Sequence, residues 1–210
     1  MAVINTQFMN LDENKSKKII DAAMNEFIRS GYERASTNVI VKEAGISKGS
    51  LFNYFTNKKG LYLFLLDHSV SVIGQIYNET DWSERDIFKR MAAMGVTKFR
   101  IYKKHPAVFA FLKSTTRETS AEVKDELTGL QASVFKDGME KSYKNIDFSK
   151  FREDMDIKKV MNIINWVIMG FAEQQLESVN SFDEVTAEHL SEWEIYFDIL
   201  KRCFYKKEYI

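Results

Sequence analysis

The residues best suited to chemistry fall in one short run. Thr37, Lys48, Gly49, Ser50, Asn53, Tyr54 and Lys58 bring hydroxyls, an amide, two cations and a position without a side chain close together. These groups recognise; they do not break bonds. A lysine can donate to guanine O6 and N7, and an asparagine can reach a base edge or a phosphate. A threonine opening a helix, with the backbone N–H groups beside it, suits a phosphate oxygen. Lys48, Gly49, Ser50 and Asn53 are therefore candidates to face a DNA groove, with Thr37, Tyr54 and Lys58 as phosphate contacts on either side. The chain has no Gly-rich phosphate loop, no Gly-x-Ser-x-Gly elbow and no His-Glu-x-x-His pair. His68, His105 and His189 lie far apart, and the single cysteine, Cys203, gives no zinc spacing. Asp154 and Asp156 read as a solvated turn and a helix cap. No catalytic residues, metal or cofactor are expected.

The elements that must hold these groups are helices. Proline occurs once, at Pro106, and apolar residues recur at helical spacing almost everywhere. The expected fold is all-α, with about nine helices. The first spans about Asn14–Ser30, its stripe formed by Ile19, Ile20, Ala23 and Phe27 and its stop by Gly31. Short helices at about Thr37–Ala44 and Lys48–Phe55 follow. Gly45 suits the left-handed turn between them, and Ser47 suits the next cap. Leu51 and Phe55 turn inward, so the opposite side is left to the polar set, as a recognition helix in a helix-turn-helix requires. A long helix starts near Lys58. Further helices cover about Glu84–Lys104, Pro106–Thr115, Ala121–Lys144, Asp156–Ser178 and Phe182–Lys206, with Asn145–Met155 as a connector.

The 210 residues are 45% hydrophobic, enough for a sizeable core, and 30 basic residues balance 30 acidic ones. A net charge of zero argues against general electrostatic coating of nucleic acid, so any DNA binding must rest on a small local set of contacts. No apolar run approaches membrane-spanning length, and the polar start lacks the apolar core of a signal peptide. A cytoplasmic protein without membrane contact is expected.

From about Lys18 to Leu66 the chain resembles the TetR family of transcriptional regulators. The matching residues are Ile19 to Ala23, Phe27, Gly31, Tyr32, Ser36, Thr37, the run Val41 to Phe55, Asn57, Lys58 and Leu61. The resemblance implies a three-helix DNA-binding domain at residues 1–60. It also implies a larger ligand-binding and dimerisation domain at 61–210. It assigns Thr37, Tyr54 and Lys58 to phosphates and turns Lys48, Gly49, Ser50 and Asn53 to the groove. Three positions depart from the commonest pattern: Phe52 where tyrosine is frequent, Asn38 to Ile40 at a usually more polar helix start, and Gly60 where an acid often stands.

Two apolar sets could serve the larger domain. Met91, Met94, Phe99, Tyr102, Phe109, Phe135 and Met139, with Trp166 or Tyr102 as polar handle, form either core or the lining of a hydrophobic ligand pocket. Leu190, Trp193, Phe197, Leu200 and Phe204 repeat at 3-4-3-4 spacing. With Val167, Gly170 and Phe171 they form either a seam inside one monomer or a four-helix homodimer interface, which the resemblance favours. The whole chain reads as a regulator, by default a repressor, that binds double-stranded operator DNA and answers to a small-molecule effector. The alternative is a helical protein-interaction module that does not bind DNA.

Overall fold

The computed structural model describes residues 6–178 and 187–210, with side chains omitted at 131–137, 139, 172–173, 175–178 and 187–191. Within that range the chain forms ten α-helices, two 3-10 turns and no strand, with one isolated bridge between Phe151 and Tyr205. The all-α expectation holds. The helix beyond the expected nine is α1, Thr6–Met9. The others are α2 (Glu13–Arg34), α3 (Thr37–Ala44), α4 (Lys48–Phe55), α5 (Lys58–Asn78), α6 (Ile87–Lys104), α7 (Pro106–Thr115), α8 (Lys124–Tyr143), α9 (Ile157–Ser178) and α10 (Ala187–Phe204). No described helix is long and apolar enough to cross a membrane.

Local chemistry explains most boundaries. Asp12 caps α2 by accepting from Lys15 N–H at 3.0 Å. Gly31 leaves the helical region at φ 69°, so α2 kinks there before a last turn ending at Arg34. Asn57 accepts from Gly60 N–H at 2.7 Å at the head of α5. The connector is not structureless, because Phe148–Lys150 forms a 3-10 turn. The expected start of the last helix at Phe182 lies outside the described residues.

The chain divides into two compact units, Met1–Gln75 with Lys104–Gly138, and Ile76–Lys103 with Met139–Ile210. That cut differs from a simple division after residue 60. The reason is aromatic packing: Phe111 on α7 lies 5.3 Å from Tyr62, which itself lies 4.9 Å from Phe27 and 5.1 Å from Tyr32. Burying those four rings carries α7 into the first unit.

The second unit has its own core. Ile87, Phe88, Val160, Met161, Ile164, Phe197, Leu200 and Phe204 pack there with Phe151 and Tyr205. Arg90 is fully buried in this unit and donates to the carbonyls of Glu84, Ser142, Lys144 and Trp82. A buried guanidinium is tolerated because backbone oxygens replace its water, and two of them are loose acceptors at the end of α8.

Candidate nucleic-acid interface

The turn between α3 and α4 is built as its residue types demand. Gly45 takes φ 67° and ψ 36°, and its N–H with that of Ile46 closes the end of α3. Ser47 Oγ accepts from Ser50 N–H at 3.0 Å, so the cap forms. Ile40, Ala44, Leu51 and Phe55 are buried behind the two helices. Lys48, Gly49 and Asn53 are exposed, Ser50 is partly so, and together they form the polar outer side of α4.

Two further groups fix the start of α3. Glu26 on α2 is buried and accepts from Ser36 N–H at 2.9 Å, from Ser30 Oγ at 3.3 Å and from the Arg29 guanidinium. Burial alone would raise this carboxyl, but those donors hold it below the usual carboxylate range. The Ser36 side chain makes no capping bond, so Glu26 is what ties the beginning of α3 to α2. Thr37, the first residue of that helix, is partly exposed.

The other end of the head is braced within the same unit. Glu118 accepts from Tyr32 N–H at 2.7 Å, just past the kink at Gly31, and Glu122 accepts from the Tyr32 hydroxyl at 2.6 Å. Burial, then the Glu122 carboxylate, raises the Tyr32 phenol well above its ordinary value, so it stays a donor. Lys59 on α5 pairs with Glu126 at 2.7 Å.

Two expected phosphate contacts sit in tighter surroundings than their spacing implied. Tyr54 is only 8% exposed, its ring 5.7 Å from Phe8 and 6.2 Å from Phe55. Lys58 is partly buried, donates to Glu33 O at 2.9 Å, and lies 4.7 Å from the centre of the Tyr32 ring. Lys48, by contrast, is exposed, with its ammonium 5.9 Å from the Phe52 ring centre. Gly60 also finds its reason: a Cβ there would run into the Phe55 carbonyl oxygen, so the acid common at this position has no room.

Sequence reasoning missed Glu26, Glu118, Glu122 and the α1 residues Gln7 and Phe8. Glu26 left a signal, since an acid beside Phe27 interrupts the inward side of α2. Glu118 and Glu122 left none, being 86 and 90 residues from Tyr32.

Of the two readings of the expected seam, the second unit fits packing inside one monomer. Phe171, Phe197, Leu200 and Phe204 are buried within their own unit, and Trp193 packs 4.5 Å from Phe171. Val167 is partly buried against the same core, Gly170 is exposed, and the Leu190 side chain lies outside the described set. The surface instead carries Ile163, Trp166 and Met169 on α9, with Ile195, Tyr196 and Ile199 on α10. Trp166 is 69% exposed, so it is a surface residue and no handle inside a pocket. Among the other expected pocket residues, Tyr102 is buried, Met91 packs on the second unit's core, and Met94 lies 4.0 Å from Ser142 Oγ. Phe99 lies 4.7 Å from the Lys103 ammonium, and Phe109, partly buried, belongs to the first unit. Phe135 and Met139 fall outside the described side chains.

Comparison with known proteins agrees with this architecture. Residues 19–64 match the family model described as bacterial regulatory proteins, tetR family. An uncharacterized HTH-type transcriptional regulator of Bacillus subtilis, YvkB, is 35% identical over 80 residues, covering 38% of this chain and 41% of that protein. The chain thus matches less than half the length of that relative. IcaR of Staphylococcus aureus, the HTH-type negative transcriptional regulator of the biofilm operon icaADBC, is 23% identical over 77% of this chain and 87% of its own.

Among solved structures, a TetR family regulator from Chloroflexus aurantiacus superposes with a TM-score of 0.67 at 23% identity, over 97% of this chain and 99% of that one. FadR of Bacillus subtilis, in complex with stearoyl-CoA, reaches 0.55 at 17% identity, over 88% and 96%. With the helix-turn-helix in place, residues 19–64, from α2 into α5, are similar to the bacterial regulatory proteins of the tetR family, and the chain shares the fold of the TetR family regulator on which it superposes.

Proposed function

We propose that this chain is a TetR-family transcriptional regulator that binds a near-palindromic operator as a cytoplasmic homodimer, represses from it, and is released by a small hydrophobic effector. The observation that carries the DNA side is the outer face of α4: Lys48, Gly49, Ser50 and Asn53 point away from the buried Leu51 and Phe55. Small polar residues around one cation let a helix approach base edges closely in a major groove. Thr37, at the start of α3, would take a phosphate. Tyr54 and Lys58 would do so from the other flank, Lys58 with an ammonium already held at Glu33.

Homodimerisation is supported by the unpartnered apolar face of α9 and α10. Six large apolar side chains exposed on two adjacent helices form a patch of the kind that proteins bury against a partner. A second copy with two-fold symmetry places two recognition helices on successive turns of DNA. An apolar effector fits the Met and Phe content of α6, and the FadR complex with stearoyl-CoA is a precedent in fold only. Repression is the sign named for IcaR. Ligand binding would shift the population toward a dimer whose helices no longer match the grooves, a coupling of about 1–3 kcal/mol in typical allostery. The family domain leaves nothing in favour of an interaction module that ignores DNA.

Operator selection with the purified chain, followed by titration of Lys48→Ala and Thr37→Ala, tests the reading. Loss of Lys48 should relax base preference at one position, at a cost of about 1–3 kcal/mol. Loss of Thr37 should weaken all sequences alike. Binding that is uniform over random DNA and indifferent to both changes would defeat it.

A further inference from the structure

The N-terminal segment does more than precede the head. A four-residue helix such as α1 has no stability of its own, so something must hold it. Phe8 does: it is buried, with its ring 4.7 Å from Phe55, 5.1 Å from Phe64 and 5.7 Å from Tyr54. Those partners lie on α4 and α5, so α1 is anchored against the back of the recognition helix. Its neighbour Gln7 is thereby carried to the exposed end of α4, where Gln7 Oε1 accepts from Asn53 Nδ2 at 2.6 Å.

We propose that Gln7 is a positioning residue that sets the orientation of Asn53 and, through it, the base preference of the recognition helix. This rests on the proposed reading that Asn53 faces the groove. An asparagine amide is planar, so holding Nδ2 in one direction also fixes Oδ1. Two-point recognition of an adenine edge depends on that plane. A free asparagine would have to be ordered on binding, and freezing one side chain costs roughly 2- to 12-fold in affinity. Gln7 does this ordering before DNA arrives. The fixed plane favours one base over the others, so the gain appears as specificity as well as affinity.

The test uses the full chain and a selected operator library. Gln7→Ala should lower affinity for the preferred base roughly 2- to 12-fold at one position of each half-site, with other positions unchanged. Gln7→Glu keeps an acceptor for Asn53 Nδ2, so it should retain that preference while its added charge weakens every operator alike. In an Asn53→Ala background, Gln7→Ala should change nothing further. The proposal is overturned if Gln7→Ala leaves preference at the Asn53-dependent position intact, or shifts it equally in both backgrounds. If Asn53→Ala alone alters no position, the groove reading of Asn53 falls, and the role of Gln7 falls with it.

Discussion

Two surfaces of this chain are both left uncovered by their own unit, and they are chemically opposite. The outer side of α4 shows Lys48, Gly49, Ser50 and Asn53, while α9 and α10 show Ile163, Trp166, Met169, Ile195 and Ile199. Behind each lies a packed apolar face: Leu51 and Phe55 in one case, Phe171, Phe197 and Leu200 in the other. The second pair of helices is thus apolar on two sides and α4 on one. A helix with one apolar side has satisfied its packing within the chain, whereas a second apolar side calls for another surface. The polar face can wait in water for DNA, and the apolar face cannot do so cheaply.

This contrast can be broken most severely at the apolar face. Trp166→Glu with Ile195→Glu should leave monomers in sedimentation, with operator affinity lower by roughly 10²–10⁴-fold as the linked second half-site is lost. A chain that stays dimeric and binds normally would show that its partner surface lies elsewhere. In that same monomeric background the two sides of α10 should separate. Phe197→Ala should cost about 3–5 kcal/mol in denaturant unfolding, and Ile199→Ala no more than about 0.5 kcal/mol. Similar losses at both positions would contradict the assignment of inner and outer sides.

Smaller effects are expected behind the polar face. Glu26→Ala removes the charged acceptor shared by the partly buried Ser36 N–H and Ser30 hydroxyl and should cost about 1–3 kcal/mol, weakening operator binding without altering association. Because donors hold the Glu26 carboxyl below its ordinary range, its contribution is complete above about pH 4.3 and fades as pH falls toward the depressed value. Glu26→Gln should therefore melt with a flatter pH dependence over that acid range. Gly45→Ala should cost about 1 kcal/mol, through backbone strain alone, since no atom lies within 4 Å of the added Cβ. A neutral or stabilising result in thermal melts would mean that the turn does not need its left-handed residue.

Much of the head was legible beforehand because its determinants are local. Gly45, Ser47 and the inward Leu51 and Phe55 act over a few residues, and each behaves in the structure as its type suggests. Glu118 and Glu122 reach Tyr32 across a long stretch of chain, and no local period marks such a pairing. The C-terminal seam shows a different limit. Spacing correctly grouped Phe197, Leu200 and Phe204 on one side of α10, but grouping does not say what covers that side. The structure buries it against α9 and the unit core, and turns Ile195 and Ile199 outward.

The sequence by itself determined the all-α fold, the corner between α3 and α4, and the resemblance of residues 19–64 to the tetR family. Helical period, caps and a left-handed glycine are properties of neighbouring residues, and neighbours are what a sequence displays. Only the tertiary structure decided which apolar rows are core and which are surface, that Gly60 must lack a side chain, and that Gln7 meets Asn53. Those outcomes depend on which segments come together in space, and burial is assigned by that assembly.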